Sequence, residues 1–168
     1  MPGTSTSKKV RGGEEIVAPE PFDLESILAI GHPVALPIVE GNFDPVPVVY
    51  DGVIISVKRE FTGKQVIAAA RLLNVPDLQQ PEALTNPELR AKLSTEERIS
   101  LSDKHVRDYV DHFNAHVVKQ LGSLISSGNA QEFWLAIKDL PKSLADRLMS
   151  ALYKIAGLAN AEGEFLAL

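Results

Sequence analysis

Three of the four histidines in this 168-residue chain fall within one short stretch, HVRDYVDHFNAH at 105–116, together with two aspartates. Imidazoles and carboxylates are metal ligands and acid/base catalysts, so the spacing of these groups decides what chemistry the stretch could do. On a helix, His112 and His116 lie one turn apart, and Asp108 lies one turn before His112. The spacing therefore makes His112, His116 and Asp108 a candidate metal site.

The same stretch can also be interpreted as the border of a helical core. At about 100° per residue, its apolar residues share one face with apolar residues further along the chain. This apolar face contains Val106, Tyr109, Val110, Phe113, Val117, Leu121 and Leu124. His105, His112 and His116 form a narrow histidine strip beside it. Because His105 is two turns from His112, a metal would need a ligand from another segment. The alternative is that the histidines bond to Asp108, to water or to a partner helix.

Other sequence features that indicate an enzyme are missing. The chain has no cysteine, which excludes thiolate nucleophiles and cysteine-based zinc modules. The glutamate of the H-E-x-x-H motif is absent between His112 and His116, and Gly63-Lys64 lacks the first glycine and the Ser or Thr of a P-loop. We therefore expect a non-enzymatic protein without a cofactor.

The charge distribution bears on nucleic-acid partners. The net charge is −5, but Lys8, Lys9 and Arg11 precede the first acidic residue, so the rest of the chain is more acidic than this total. An acidic body argues against a broad phosphate-binding surface. The three basic residues remain candidates for a nucleic-acid contact, which makes nucleic acid a secondary partner class.

No apolar run approaches the roughly 20 residues that cross a bilayer, and the N-terminal residues lack the apolar segment of a secretory signal. The sequence predicts no membrane partner and a location in the cytoplasm or in a virion.

The chain divides into a flexible basic arm at 1–20, one globular domain at 21–157 and a tail at 158–168. Six of the eleven prolines fall between residues 19 and 47, which indicates an extended surface passage there. Two β-branched runs joined by Asp51-Gly52 then predict a β-hairpin at about 46–59, whose edges are candidate association sites. The hairpin needs further cover, for which segment 34–40 is a candidate.

Helices are predicted after the hairpin. Thr62, Asn86 with Pro87, Ser94 with Glu97, and Asn129 with Glu132 mark successive helix starts, and Pro141 opens the last helix. A break is expected near 100–103 in the long helix that follows Ser94. An earlier short helix is predicted at 22–31. The fold class is therefore α+β, with an extended arm, one hairpin and an irregular bundle of four to five helices.

The only tryptophan, Trp134, follows Phe133 in the helix after Asn129. Neighbouring helix positions diverge by about 100°, so at least one ring is expected in the core. An exposed ring would be an interface anchor, since aromatic side chains dominate binding hot spots. Phe133 and Trp134 are therefore interface candidates, together with the histidine strip.

This layout of arm, hairpin and helical region resembles small bacteriophage assembly and virion proteins such as tail assembly chaperones. The resemblance covers about residues 46–157 and rests on no residue motif. It implies a structural or scaffolding protein that forms a homo-oligomer or a larger assembly. The alternatives are a metal-binding regulator or enzyme that uses His112, His116 and Asp108, and a nucleic-acid accessory protein that uses the basic arm.

Overall fold

The computed structural model describes residues 8–11, 14–17, 20–28, 41–160 and 164–166, and within them the α+β fold class is confirmed. The strands are β1 (Lys8–Arg11), β2 (Glu14–Val17), β3 (Phe22–Asp23), β4 (Val46–Tyr50), β5 (Val53–Val57) and β6 (Ile125–Ser127). The helices are α1 (Glu25–Leu28), α2 (Gly63–Arg71), α3 (Glu82–Thr85), α4 (Pro87–Ala91), α5 (Thr95–Leu124), α6 (Ala130–Ile137) and α7 (Lys142–Ile155).

The predicted hairpin is confirmed as β4 and β5, which pair antiparallel from Val46 opposite Val57 to Tyr50 opposite Val53. Asp51 and Gly52 both have positive φ, 47° and 76°, as a type I′ turn requires. Alternate residues of the hairpin are buried, so one face of the sheet packs on the helices.

The prediction of a single hairpin was incomplete. β3 pairs parallel with β4, and β6 pairs antiparallel with β5, so a four-stranded sheet has the order β3-β4-β5-β6. The hairpin edges are thus partly covered, whereas segment 34–40, predicted to cover them, lies outside the described residues. β3 and β6 are two and three residues long, too short to give a periodic pattern in the sequence.

The predicted basic arm contains a second, separate sheet of two strands. β1 and β2 run antiparallel, with Lys8 opposite Val17 and Arg11 opposite Glu14. The side chains of Lys8, Lys9 and Arg11 lie outside the described part of the structure, as does most of 1–20. Their role in nucleic-acid binding stays a prediction.

The helix starts predicted after the hairpin are confirmed, and all but the one at Pro141 have a side-chain cap. Thr62 with Gln65 and Ser94 with Glu97 both form complete capping boxes. The side chain of Asn129 accepts a hydrogen bond from the backbone N–H of Glu132 at 3.1 Å. These local contacts satisfy backbone N–H groups that have no partner inside the helix.

Three helices differ from their predictions. The helix predicted at 22–31 begins with strand β3, so within the described residues α1 covers only Glu25–Leu28, and the one-turn α3 was not predicted. The break expected near 100–103 is wrong, because α5 runs uninterrupted over 30 residues. At 1.5 Å per residue α5 is about 45 Å long, and it ends at Leu124, where the chain enters β6 directly.

The hydrophobic core lies between the sheet, α6, α7 and the second half of α5. Its largest fully buried side chains are Leu24, Val48, Ile55, Val57, Leu121, Leu124, Phe133, Ile137, Leu148, Leu152 and Ile155. α6 packs directly on β4 and β5, and α7 packs on α1. None of the helices in the described ranges combines the length and the apolar content that a bilayer crossing needs.

Candidate functional site

Two members of the histidine strip, His112 and His116, hold the connection between α2 and α3 against α5. The Nε2–H of His112 donates to the carbonyl oxygen of Pro76 at 2.7 Å, and the Nε2–H of His116 donates to the carbonyl oxygen of Leu72 at 2.8 Å. The side-chain amide of Gln120 donates to the same Leu72 oxygen. Because a carbonyl oxygen only accepts hydrogen bonds, both imidazoles act as donors through Nε2.

The three residues predicted as a metal site are not brought together as one. In the described ranges, no group of three or more His, Asp, Glu or Cys side chains is placed to hold a metal ion. His112 and His116 use Nε2 for carbonyl bonds, and the exposed side chain of Asp108 forms no hydrogen bond or ion pair with either imidazole. Spacing along one helix could not reveal that the connection after α2 occupies the two imidazoles.

His105 lies apart from its two neighbours in sequence. It lines a separate pocket of about 370 Å³ between α5, α4 and the segment around α3, together with Arg90 and Arg98. The three histidines therefore lie against two different parts of the structure, the connection after α2 and the pocket beside α4. These contacts do not support the interpretation of the strip as one interface border.

Only the second half of the predicted apolar face of α5 is buried in the core. Val117, Leu121 and Leu124 are buried, but Val106 and Val110 are 57% and 49% exposed. The expectation that Val106, Tyr109 and Val110 build the core is wrong. The reason is length, because α5 extends beyond the sheet, α6 and α7, and its first buried residue is His116.

Ile99 joins Val106, Tyr109 and Val110 as a large apolar side chain exposed on this part of α5. At 100° per residue the four side chains fall within an arc of roughly 100°. We call these four residues the exposed stripe. It is the axial continuation of the face that α5 buries in the core.

A cleft of about 710 Å³ opens where the exposed stripe ends, between α5, α6 and α7. Its apolar wall includes Phe113, Val117, Trp134, Leu140, Met149 and Phe165. Phe113 and Trp134 meet edge to face with centroids 6.1 Å apart, and the indole N–H donates to Asn114 Oδ1 at 2.9 Å. Phe113 lies on the same face of α5 as Val106 and Val110, so the cleft begins about one helical turn beyond the exposed stripe.

Phe133 and Trp134 are both buried, at 0% and 7% exposure. The simpler of the two interpretations, burial in the core, is confirmed for both rings. The prediction that they are exposed interface anchors is wrong, since Phe133 offers no outer surface and Trp134 only lines the cleft wall.

The predicted tail contributes to the cleft. Ala159 and Phe165 form an antiparallel bridge, and the Phe165 ring meets Tyr153 edge to face at 6.0 Å. Burial raises the pKa of Tyr153 to about 12.

We expect this shift to lower the stability of the protein above pH 10. Between pH 10 and 12 the Tyr153 phenol ionises in the unfolded chain but stays protonated in the folded one, so the free energy of unfolding falls as pH rises. The loss is on the order of 1 kcal/mol per pH unit. Urea unfolding at pH 9, 10 and 11 measures it, and Tyr153→Phe is expected to reduce the decline. An equal decline in both proteins would contradict the assignment.

Sequence reasoning missed the charged neighbours of the histidine strip. Arg98, Ser102 and His105 follow one another at i, i+4 and i+7, the spacing that places side chains on one helix face. Arg90 joins them from α4. The i, i+4, i+7 signal was available in the sequence, whereas the approach of α4 depends on tertiary packing.

No family model, curated protein or solved structure matches this chain.

Proposed function

We propose that this chain is a non-enzymatic assembly protein that acts through protein–protein contacts and pairs with a second copy of itself through the exposed half of α5. The observation that carries the proposal is the exposed stripe of Ile99, Val106, Tyr109 and Val110. The bacteriophage assembly class remains the family-level hypothesis and rests on layout alone. The expected location, cytoplasm or virion, belongs to that hypothesis.

The exposed stripe has the character of an interface. Ile99 and Val106 are 56% and 57% exposed, and Tyr109 contributes an aromatic ring at 45%. Single apolar residues are ordinary on a protein surface, but several on one helix face, rimmed by polar residues, indicate a contact with another molecule. Covering such residues removes apolar area from water, which stabilises the contact by about 25 cal/mol per Å².

The charges beside the exposed stripe favour a second copy as the occupant. Asp103 and Arg107 lie one turn apart along one flank of the stripe, and both are exposed. Neither forms an ion pair with a described residue. One flank thus carries both signs of charge, which suits a self-complementary contact, in which residue i meets j and j meets i.

An antiparallel arrangement satisfies the apolar and the charged residues together. A twofold axis near residue 105 brings residues equally far before and after it into register. Ile99 then lies opposite the partner's Val110, and Asp103 lies beside the partner's Arg107. Each pair occurs twice because of the symmetry. One helix face per copy is a small interface, so we expect a weak dimer.

Charge reversal tests this register. We expect Asp103→Arg and Arg107→Asp each to weaken dimerisation about tenfold, because two attractive pairs become repulsive. The double variant restores opposite charges and should dimerise within about threefold of the unaltered protein. An equimolar mixture of the two single variants should form the heterodimer. Sedimentation velocity between about 1 µM and about 1 mM measures the dissociation constants.

Asp108→Arg is the matched control, since it makes the same charge change on the opposite side of α5. It should dimerise like the unaltered protein. A double variant that stays as weak as the single variants would refute the antiparallel register. A protein that remains monomeric up to the highest concentration would refute the self-association itself.

A further inference from the structure

The pocket between α4 and α5 concentrates positive charge in an acidic protein. Arg90, Arg98 and His105 all line it, within a chain whose net charge is −5. Gln80 and Ser102 add a side-chain amide and a hydroxyl to the same wall. No acidic side chain is among the described residues that line this pocket.

Arg98 carries the strongest indication of a ligand. Its Nε atom is shielded from solvent and has no hydrogen-bond partner among the described residues. A buried donor on a charged group that lacks a partner is costly, and such groups in folded proteins call for a water or an ion as explanation. The side chains of Arg90 and His105 likewise form no hydrogen bond or ion pair with the described residues.

The local structure arranges these groups around one space. Arg98, Ser102 and His105 are successive members of one face of α5, so their side chains line a single wall about two turns long. Arg90 stands in the last turn of α4, which begins at the Asn86 cap and Pro87. The part of the pocket that Arg90 lines is therefore also fixed by a capped helix.

We propose that this pocket binds a phosphate group, presented as a phosphomonoester. A phosphomonoester carries about −1.5 to −2 charges near neutral pH and three strongly accepting oxygens. Two guanidinium groups balance that charge, and their planar forks bond phosphate oxygens in pairs. The hydroxyl of Ser102 and the amide of Gln80 supply further donors. With about 370 Å³, the pocket also leaves room for the group that carries the phosphate.

This inference does not rest on self-association, although Ile99 of the exposed stripe also lines the pocket. Its test uses the full chain. Inorganic phosphate, glycerol phosphate and a short phosphoserine peptide are titrated separately while the backbone amide resonances are recorded by NMR. We expect saturable shifts centred on α4 and on the first three turns of α5. Tighter binding of the peptide would assign the phosphate to a phosphorylated chain, and equal binding of the two esters to a small metabolite.

Arg98→Met removes the guanidinium but keeps most of the apolar stem, and we expect it to weaken phosphate binding by about 10- to 100-fold. Arg90→Met is a second variant on an exposed residue, so binding can be tested even if Arg98→Met fails to fold. Lys104→Met is the control, since it removes an exposed positive charge on another side of α5, outside the pocket and the proposed dimer contact, and it should leave binding unchanged.

Three results would overturn the proposal. The first is the absence of saturable binding by all three phosphate compounds. The second is an equal loss of binding in Lys104→Met and in the pocket variants, which would indicate general charge attraction. The third is acetate binding as tightly as phosphate, which would make the pocket a carboxylate site.

Discussion

Val106→Asp is expected to convert the protein to a monomer, with a dissociation constant at least about 100-fold higher than that of the unaltered chain. In the antiparallel pair each copy contributes one Val106 near the twofold axis, so a single substitution alters the contact twice. The pair loses two buried valines and would have to bury two carboxylates without partners. Sedimentation velocity at matched concentrations measures the change.

The folded monomer should tolerate the same substitution. Val106 is 57% exposed, and valine and aspartate have similar helix propensities, so the free energy of unfolding is expected to change by less than about 0.5 kcal/mol. Leu135→Asp is the control, because Leu135 is an equally exposed apolar residue on α6, outside the exposed stripe. Equal loss of association in both variants would mean that the stripe is not the contact.

Gly128→Ala is expected to lower the free energy of unfolding by about 3 kcal/mol or more. Gly128 follows β6 with φ of 102°, a conformation in which a side chain is strained. A Cβ placed there would lie 2.8 Å from Ile55 Cγ2 and 2.9 Å from both the Ile54 carbonyl oxygen and Ile55 Cα. Two of these atoms are backbone of a central strand, so they cannot move aside without disturbing the sheet.

Urea unfolding, followed by the fluorescence of the single tryptophan, measures this loss of stability. Gly122→Ala is the matched control, since Gly122 is exposed within α5 and a Cβ there would meet no atom within 4 Å. That substitution should stabilise the protein by about 0.5–1 kcal/mol, because alanine is the better helix former. A Gly128→Ala variant as stable as the unaltered protein would contradict the close approach of β6 to β5.

Features decided by neighbouring residues were predictable from the sequence. The capping boxes of Thr62 and Ser94 and the turn at Asp51-Gly52 form because each involves partners at most three residues away. Such contacts depend little on the remainder of the chain. The fold class and the five longer helical segments could therefore be identified in advance.

Features decided by distant residues were not predictable. Periodicity places Val106 and Val117 on one face of α5, but it carries no information on whether another element covers that face. His116 bonds to a carbonyl 44 residues away in sequence. The same limit explains why a metal was inferred from residues that the connection after α2 already holds, and why Arg90 was not associated with Arg98.

The direct passage from α5 into β6 makes the long helix a spacer of fixed length. Leu124 ends the helix, Ile125 starts the strand, and the Leu124 carbonyl accepts a hydrogen bond from the backbone N–H of Lys58 at 2.7 Å. No loop intervenes that could change the angle between helix and sheet. In the proposed antiparallel pair, the helix ends would stand about 57 Å apart at 1.5 Å per residue. The pair would then fix the distance between the two molecules that the sheets contact.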